Sequence, residues 1–524
     1  CLPKKRTPSL RGGIRTRPRT AWRPDTTWHK LKLRSQEAWR DLDDTPQGHP
    51  EALFRQQAYR QSCRDLRIHT SQARTNWLSR RLHNTSLHAP SHTVKFTWEK
   101  LKRSLGSESM SGLPAQVRSD DGRLLQGEEA AAEWHKKRAE IGKYDPTAPF
   151  DVKAQSRRKL GMHSILQKEA ADSAKAGPPR KEQGIMNAGI TKDEIDACIQ
   201  RASTNTAPGT DEIYNELLKQ GGDFLRDLLH TFFNAVWEAE AGPDEWSLAL
   251  VRPLYKPKSK DPLAIENYRA ITLINTICKL YEDILCDRVV THLERSRGIS
   301  GSQAGSRRFL GCQEMVYTFV SAARLRKETF NEGTYCCFLD LKLAYPSTDH
   351  DVIFSKLSGK GIHGRLFRNI QALYKNMRSR VIHPRIPVDD YYNIEVGARE
   401  GSVLSPILFL VAIDDMQEYL AARPFQQRSA ASTKRAGGQR RKGKPPGVRI
   451  GGTYLALLQY VDDAVLLARS PEELQHMINV IADYCSENRL TLNPKEGKTE
   501  VVEFMCDPSN VTYTVASPKT AGDQ

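Results

Sequence analysis

A chain of 524 residues with 79 Lys and Arg against 62 Asp and Glu, a formal charge of +17, is too long for one compact core and basic enough to favour a polyanionic partner. No apolar run of about 18 residues crosses it, and no charged start followed by an apolar core opens it, so neither a helical membrane span nor a secretory leader is read and a soluble intracellular protein is expected. The ten cysteines show no C-x-x-C spacing, so reduced thiols and no structural zinc are expected.

In chain order, residues 1–27 are rich in Arg, Lys, Pro and Thr and read as a disordered basic tail. Within it "PKKR" at Pro3–Arg6 is either an import signal or part of a solvated tail. Residues 28–141 carry a helical, basic pattern with Trp39, Phe54, Tyr59, Trp77 and Trp98 among the cations; these aromatics are either the core of a small bundle or a nucleic-acid-binding face. "RSDDGRLL" signals a hairpin before a helix from about Gly127 to Ile141, and 142–190, with its Pro and Lys, reads as a mobile linker.

From 191 to 507 helical and strand patterns alternate. Helices are expected at Thr191–Ala202, Asp211–Ala239, Leu273–Arg295, Cys312–Lys327, His363–Met377, Ser405–Tyr419 and Pro471–Asn488. Strands are expected at Leu248–Tyr255, Tyr335–Leu341, Arg380–Ile382, Tyr391–Val396, Tyr454–Gln459, Ala464–Ala468 and Glu500–Phe504. Residues 423–447 hold Gly, Pro, Ser and many cations and read as an exposed loop, whose Lys434, Arg435, Arg440 and Arg441 either neutralise nucleic-acid phosphates or touch nothing. Residues 508–524 read as a tail or as the start of a further, truncated element.

Two stretches place carboxylates where hydrophobicity predicts burial. "LLQYVDDAVLLA", Leu457–Ala468, sets Asp462 and Asp463 between two short strands, and "TYCCFLDLKLAY" ends a strand at Asp340. Other Asp-Asp pairs occur, at Asp43, Asp120, Asp389 and Asp414, so only the apolar flanks single this one out. A buried charge must be paired, solvated at a turn or bound to metal. Were the two strand ends neighbours in one antiparallel sheet, Asp340, Asp462 and Asp463 would hold divalent metal, with Mg²⁺ the natural occupant of an all-oxygen set.

These residues resemble the reverse transcriptase domain of non-LTR (LINE-type) retrotransposons, over about 195–507. "YVDDAVLLA" and "FLDLKLAY" are similar to the family's two metal-binding strands, which implies two Mg²⁺ ions, with Mn²⁺ as a substitute, on Asp340, Asp462 and Asp463. The resemblance puts Tyr345 at the aromatic gate against a ribose 2′-OH. "APGTDEIYNELLK" and "VRPLYKPKSKDPLAIENYRAITL" resemble the fingers, which implies that Lys256 and Arg269 contact the incoming triphosphate. "REGSVLSPILF" resembles the Gln-Gly-x-x-x-Ser-Pro segment, so Gly401 is expected at the nucleotide and Ser405 and Pro406 at the template. "LTLNPKEGKTEVVEF" supplies an active-site lysine, Lys498 or, in the other alignment, Lys495. Three positions depart from the family: Ser306 for the aromatic in "QAGSRR", Glu400 for Gln, and Pro346 for the Asp after the gate.

The resemblance implies an α+β right-hand polymerase, with a palm on a ferredoxin-like antiparallel sheet and helical fingers, preceded by a mainly helical basic region. It implies an RNA-directed DNA polymerase whose partners are an RNA template, a DNA primer and deoxynucleoside triphosphates, acting in nucleus and cytoplasm without a membrane. The N-terminal half resembles the region between endonuclease and polymerase, and the start at Cys1 reads as a fragment without the endonuclease and with a truncated thumb. The alternatives are a catalytically decayed RNA-binding remnant and a group II intron-type reverse transcriptase and maturase.

Overall fold

The computed structural model describes residues 26–43, 51, 54–66, 68, 69, 72, 116–119, 121–144, 150–174, 184, 186–256, 261–307, 310–382, 386, 387, 389–425, 445–450, 453–495 and 498–504. The chain divides into two units, Cys1–Gly112 and Leu113–Gln524. In the first, a helix spans Thr26–Asp43 and another covers 54–66; of the expected aromatics Phe54 is 73% exposed and Tyr59 is half-buried, the Trp39 side chain lies outside the described residues, and Lys32 lies over the Trp28 ring at 5.0 Å. Among the described residues none of this unit joins a buried apolar cluster. Trp77, Trp98 and the cations Lys434, Arg435, Arg440 and Arg441 lie outside the described residues.

The second unit is mixed helix and sheet. Strands β1 (Gln116–Arg118) and β2 (Leu124–Gln126) form the expected hairpin, followed by the helix Gly127–Ile141. Val117, Leu125 and Trp134 from these elements pack with Val251 and Tyr392. Those residues belong to a second sheet, ordered β4-β3-β6-β7, of β3 (Leu248–Tyr255), β4 (Tyr268–Ile274), β6 (Arg378–Val381) and β7 (Tyr392–Asn393). It is antiparallel except for the parallel pair β3 and β6.

The third sheet is antiparallel throughout, ordered β10-β11-β5-β12, with β5 (Thr334–Leu339), β10 (Leu457–Tyr460), β11 (Asp463–Ala468) and β12 (Glu500–Phe504). The strands on either side of β5 thus run in the same direction, and the helix Pro471–Glu487 joins them. Helices cover both faces. Cys337, Leu339, Leu466 and Ala468 face Leu474, Ile478 and Ile481, while Cys336, Val465 and Leu467 face Ala322 and Phe319 on the other side. A strand buried on both faces needs apolar residues at every position, which is why these runs show no alternation. A small hairpin, β8 (Val448–Ile450) with β9 (Thr453–Leu455), takes the start of the expected strand Tyr454–Gln459. Ala456, which belongs to neither strand, separates it from β10.

Several expected elements change. Asp211–Ala239 is two helices, Asn215–Gln220 and Gly222–Ala239, because Gly222 takes a φ of 63°. Ser405–Tyr419 likewise divides into Ser405–Ile413 and Met416–Ala421. Leu273 and Ile274 belong to β4, and the helix after them begins at Thr276. The reading of 142–190 as a linker is corrected: it holds the helix Val152–Ala174. Arg158 donates from that helix to the Glu487 carbonyl at 2.9 Å, and buried Glu169 accepts from Arg368 at 3.0 Å and from the Gly364 amide at 2.9 Å. The buried face of this helix mixes Ala154, Met162 and Ile165 with the polar Arg158 and Glu169, so no clean apolar stripe marks it in the sequence.

Candidate active site

Asp340 follows the last paired residue of β5, Asp463 opens β11, and Asp462 occupies the turn between β10 and β11. Ala464 pairs with Leu339, so the register sets Asp463 beside Asp340 on adjacent antiparallel strands, as the sequence reading required. Burial pushes the Asp462 carboxyl up from the ordinary aspartate value, with Asp463 and Asp340 adding repulsion. Asp340 is held by its neighbours: Asn493 Nδ2 donates to Oδ2 at 2.8 Å and Lys498 Nζ lies 3.5 Å from Oδ1. Of the two alignable lysines, then, Lys498 reaches the carboxylate. Asn493 was not singled out from the sequence, and nothing in its local pattern separates it from an ordinary turn residue.

Asp462 is half-buried and Asp463 exposed, and the contrast with the pair Asp414–Asp415 is informative. Asp414 accepts from Lys360 and the Ser300 amide, and Asp415 accepts from Lys356 and the Tyr484 hydroxyl. Both are neutralised by the protein. Asp462 and Asp463 have no ion-pair partner among the described residues. Hard carboxylate oxygens crowded without a cation suit Mg²⁺, which is held by few protein ligands plus waters and substrate phosphates. Among the described residues no group of three or more His, Cys, Asp or Glu side chains is placed so that it could by itself hold a metal ion.

The other expected residues fall around this centre. Lys256, just past β3, donates to the Glu266 carbonyl at 2.7 Å; burial pulls its pKa down, with Arg269, Arg138 and Lys498 pushing the same way. Four cations therefore converge on one region. Tyr345 stacks on Phe409, ring centroids 4.6 Å apart at 22°, and its hydroxyl is pushed up to about 12 by burial and the Asp462 charge. The Pro346 departure costs no hydrogen bond, because it lies in the first turn of the four-residue helix Ala344–Ser347, where the backbone N–H has no intrahelical acceptor.

Glu400 lines a cleft with Arg138, Thr272, Pro346 and Tyr392, and Gly401 follows it in the chain. Gly401 has a φ of 80°, and a Cβ there would stand 2.1 Å from the Thr272 carbonyl oxygen. Glu400 accepts from Thr272 Oγ1 at 3.1 Å, and burial raises its carboxyl toward the protonated form, which like the amide of Gln has both a donor and an acceptor. Ser405 needs correction as a template contact. It is buried and its hydroxyl donates to the Arg399 carbonyl at 2.6 Å, so it shapes the turn, while Pro406 takes the first turn of its helix and is half-buried.

Arg399 itself is buried with Glu282, Nη1 to Oε1 at 3.4 Å, and Glu282 Oε2 accepts the Val403 amide at 3.1 Å. Glu282→Ala is expected to destabilise the fold by about 3–5 kcal/mol, since it strands a buried guanidinium. Urea unfolding measures this, and a loss below about 1 kcal/mol would show that the pair does not carry the turn.

The reverse transcriptase (RNA-dependent DNA polymerase) family matches residues 256–514. Among curated proteins the chain is similar to the probable RNA-directed DNA polymerase from transposon BS of Drosophila melanogaster, 24% identical over 59% of this chain and 31% of that one. It is 26% identical to the RNA-directed DNA polymerase from mobile element jockey of Drosophila funebris, over 43% of this chain and 24% of the relative. It is 22% identical to the Pol polyprotein from type-1 retrotransposable element R2 of Nasonia vitripennis, over 51% and 23%. The chain thus spans a third or less of each relative's length. Residues 256–514 match the reverse transcriptase family model, and the relatives the chain resembles are named as RNA-directed DNA polymerases of transposons and mobile elements.

Proposed function

We propose that the chain is an RNA-directed DNA polymerase that extends a DNA primer on an RNA template. The observation that carries this is the juxtaposition of Asp340 with Asp462 and Asp463 across β5 and β11, with no protein cation on the second pair among the described residues. In this reading the β10-β11-β5-β12 sheet, with its two parallel strands flanking β5 and joined by a helix, is the ferredoxin-like palm of a right-hand polymerase. The β3-β4 pair belongs to the fingers. The primer 3′-OH attacks the α-phosphorus of a deoxynucleoside triphosphate, a new P–O bond forms, the hydroxyl proton is lost and pyrophosphate leaves. Asp340, Asp462 and Asp463 would hold the divalent metal, which would supply activation of the hydroxyl and neutralisation of the leaving group's charge. Lys256 and Arg269 attract the triphosphate, and the Tyr345 ring takes the space a ribose 2′-OH needs. Lys498 balances the charge on Asp340 before substrate arrives.

The purified chain should incorporate deoxynucleotides onto a DNA primer annealed to RNA, with Mg²⁺ or Mn²⁺ and not with EDTA. Tight binding of the RNA–DNA duplex with no extension under either metal would overturn the polymerase reading and leave an RNA-binding remnant.

A further inference from the structure

The turn that presents Asp462 and Asp463 has an unusual backbone. Val461, the residue before them, has a φ of 59°. Among the described residues, non-glycine positions with positive φ are Asn, Glu, Arg, Ser, Leu and this one Val, so Val461 alone is β-branched. Branching at Cβ makes the left-handed region especially unfavourable, and such a conformation persists only where the surroundings over-determine it.

The surroundings come from residues 302–305. This segment runs parallel to β10, with the Gln459 amide donating to the Ser302 carbonyl at 2.8 Å and the Ala304 amide to the Gln459 carbonyl at 3.0 Å. Gln303 is 0% exposed. Its Oε1 accepts from the Val461 amide at 2.9 Å and from the Gly305 amide at 2.9 Å, and its Nε2 donates to the Val461 carbonyl at 3.5 Å. One side chain thus engages both backbone groups of the left-handed residue. Gly305 allows the approach, because a Cβ there would stand 2.4 Å from the Val461 nitrogen. The clamp is anchored at its other end, where the Ser300 amide donates to Asp414 at 2.9 Å and Asp414 is paired with Lys360.

We propose that Gln303 is a positioning residue of the polymerase site: its amide locks the Val461 turn in the left-handed conformation and thereby aims Asp462 and Asp463. Gln303 touches no substrate. It acts through the backbone of the residue that precedes the carboxylates, so removing its oxygen leaves the strands paired and frees the turn to relax. The catalytic consequence rests on the polymerase reading, whereas the clamp itself does not.

The test combines exchange and kinetics on the full chain. Gln303→Met keeps the side-chain length and removes the acceptor oxygen; Gln303→Glu keeps that oxygen. In Gln303→Met the Val461 and Gly305 amides should lose protection from hydrogen exchange by at least about tenfold, while Val465 and Leu467 in β11 keep theirs and report that the sheet is folded. The kcat for extension should fall roughly 100-fold, with the KM for nucleotide changed by less than about threefold, as for a misplaced catalytic group. Gln303→Glu should retain the exchange protection. Adding Val461→Gly to Gln303→Met should restore kcat by at least about tenfold, because glycine adopts positive φ without a clamp. A structural role unrelated to the turn gives no such rescue. Unchanged protection at Val461, lost protection with unchanged kcat, or absence of rescue would each overturn the proposal. If the wild-type chain extends no primer, the polymerase reading fails, and the exchange measurements still decide whether Gln303 holds the turn.

Discussion

Asp462→Asn is expected to lower primer extension by roughly a thousandfold or more, since several kcal/mol of metal-borne stabilisation are lost at about 1.36 kcal/mol per tenfold. Binding of the RNA–DNA duplex should stay within a few fold, because the basic surface is untouched. The fold should not suffer. The Asp462 carboxyl is pushed up by burial first and by Asp463 and Asp340 next, so the folded state holds the proton more tightly than the unfolded chain. Stability from this group is therefore present below the unfolded value of about 3.9 and falls as pH rises through the higher folded value. At neutral pH without metal the ionised carboxylate is a cost, and the neutral amide removes it. The variant should melt at or above the wild-type temperature in EDTA while being inactive in Mg²⁺. Extension within tenfold of wild type would end the assignment of Asp462 as a metal ligand.

Tyr345→Ala should let ribonucleoside triphosphates in. The ring is stacked on Phe409 and its peptide carbonyl accepts from the Ala398 amide at 2.8 Å, so Tyr345 is fixed at both backbone and ring. A rigid ring discriminates by exclusion, and removing it leaves space that nothing nearby is free to fill. The preference in kcat/KM for deoxy- over ribonucleotide should drop at least about tenfold, mostly through the ribonucleotide arm. Tyr345→Phe keeps the ring and should discriminate like wild type, which separates sterics from the hydroxyl. Preserved discrimination in Tyr345→Ala would mean that another side chain excludes the 2′-OH.

The local patterns carried much of this reading. β3 and β12 have the bounds the sequence suggested, the helix Gly127–Ile141 does too, and the apolar runs ending in Asp340 and starting after Asp463 proved to be neighbouring strands. Those features depend on residues adjacent in the chain: side-chain period, turn formers, and the low cost of apolar residues in a strand covered on both faces. The residues that organise the carboxylates were not legible in the same way. Asn493 is 153 positions from Asp340, and Gln303 is 158 from Val461. The helix Val152–Ala174 is anchored in part by Glu169 and Arg158, whose partners lie 195 and 329 positions away, beside the buried Met162. Which acceptor a buried amide finds, and whether an Asp-Asp pair meets lysines, as at Asp414–Asp415, or meets none among the described residues, as at Asp462–Asp463, is decided only when distant segments dock. Hydrogen bonds and ion pairs act over a few ångströms, and no local periodicity records who will be within that reach.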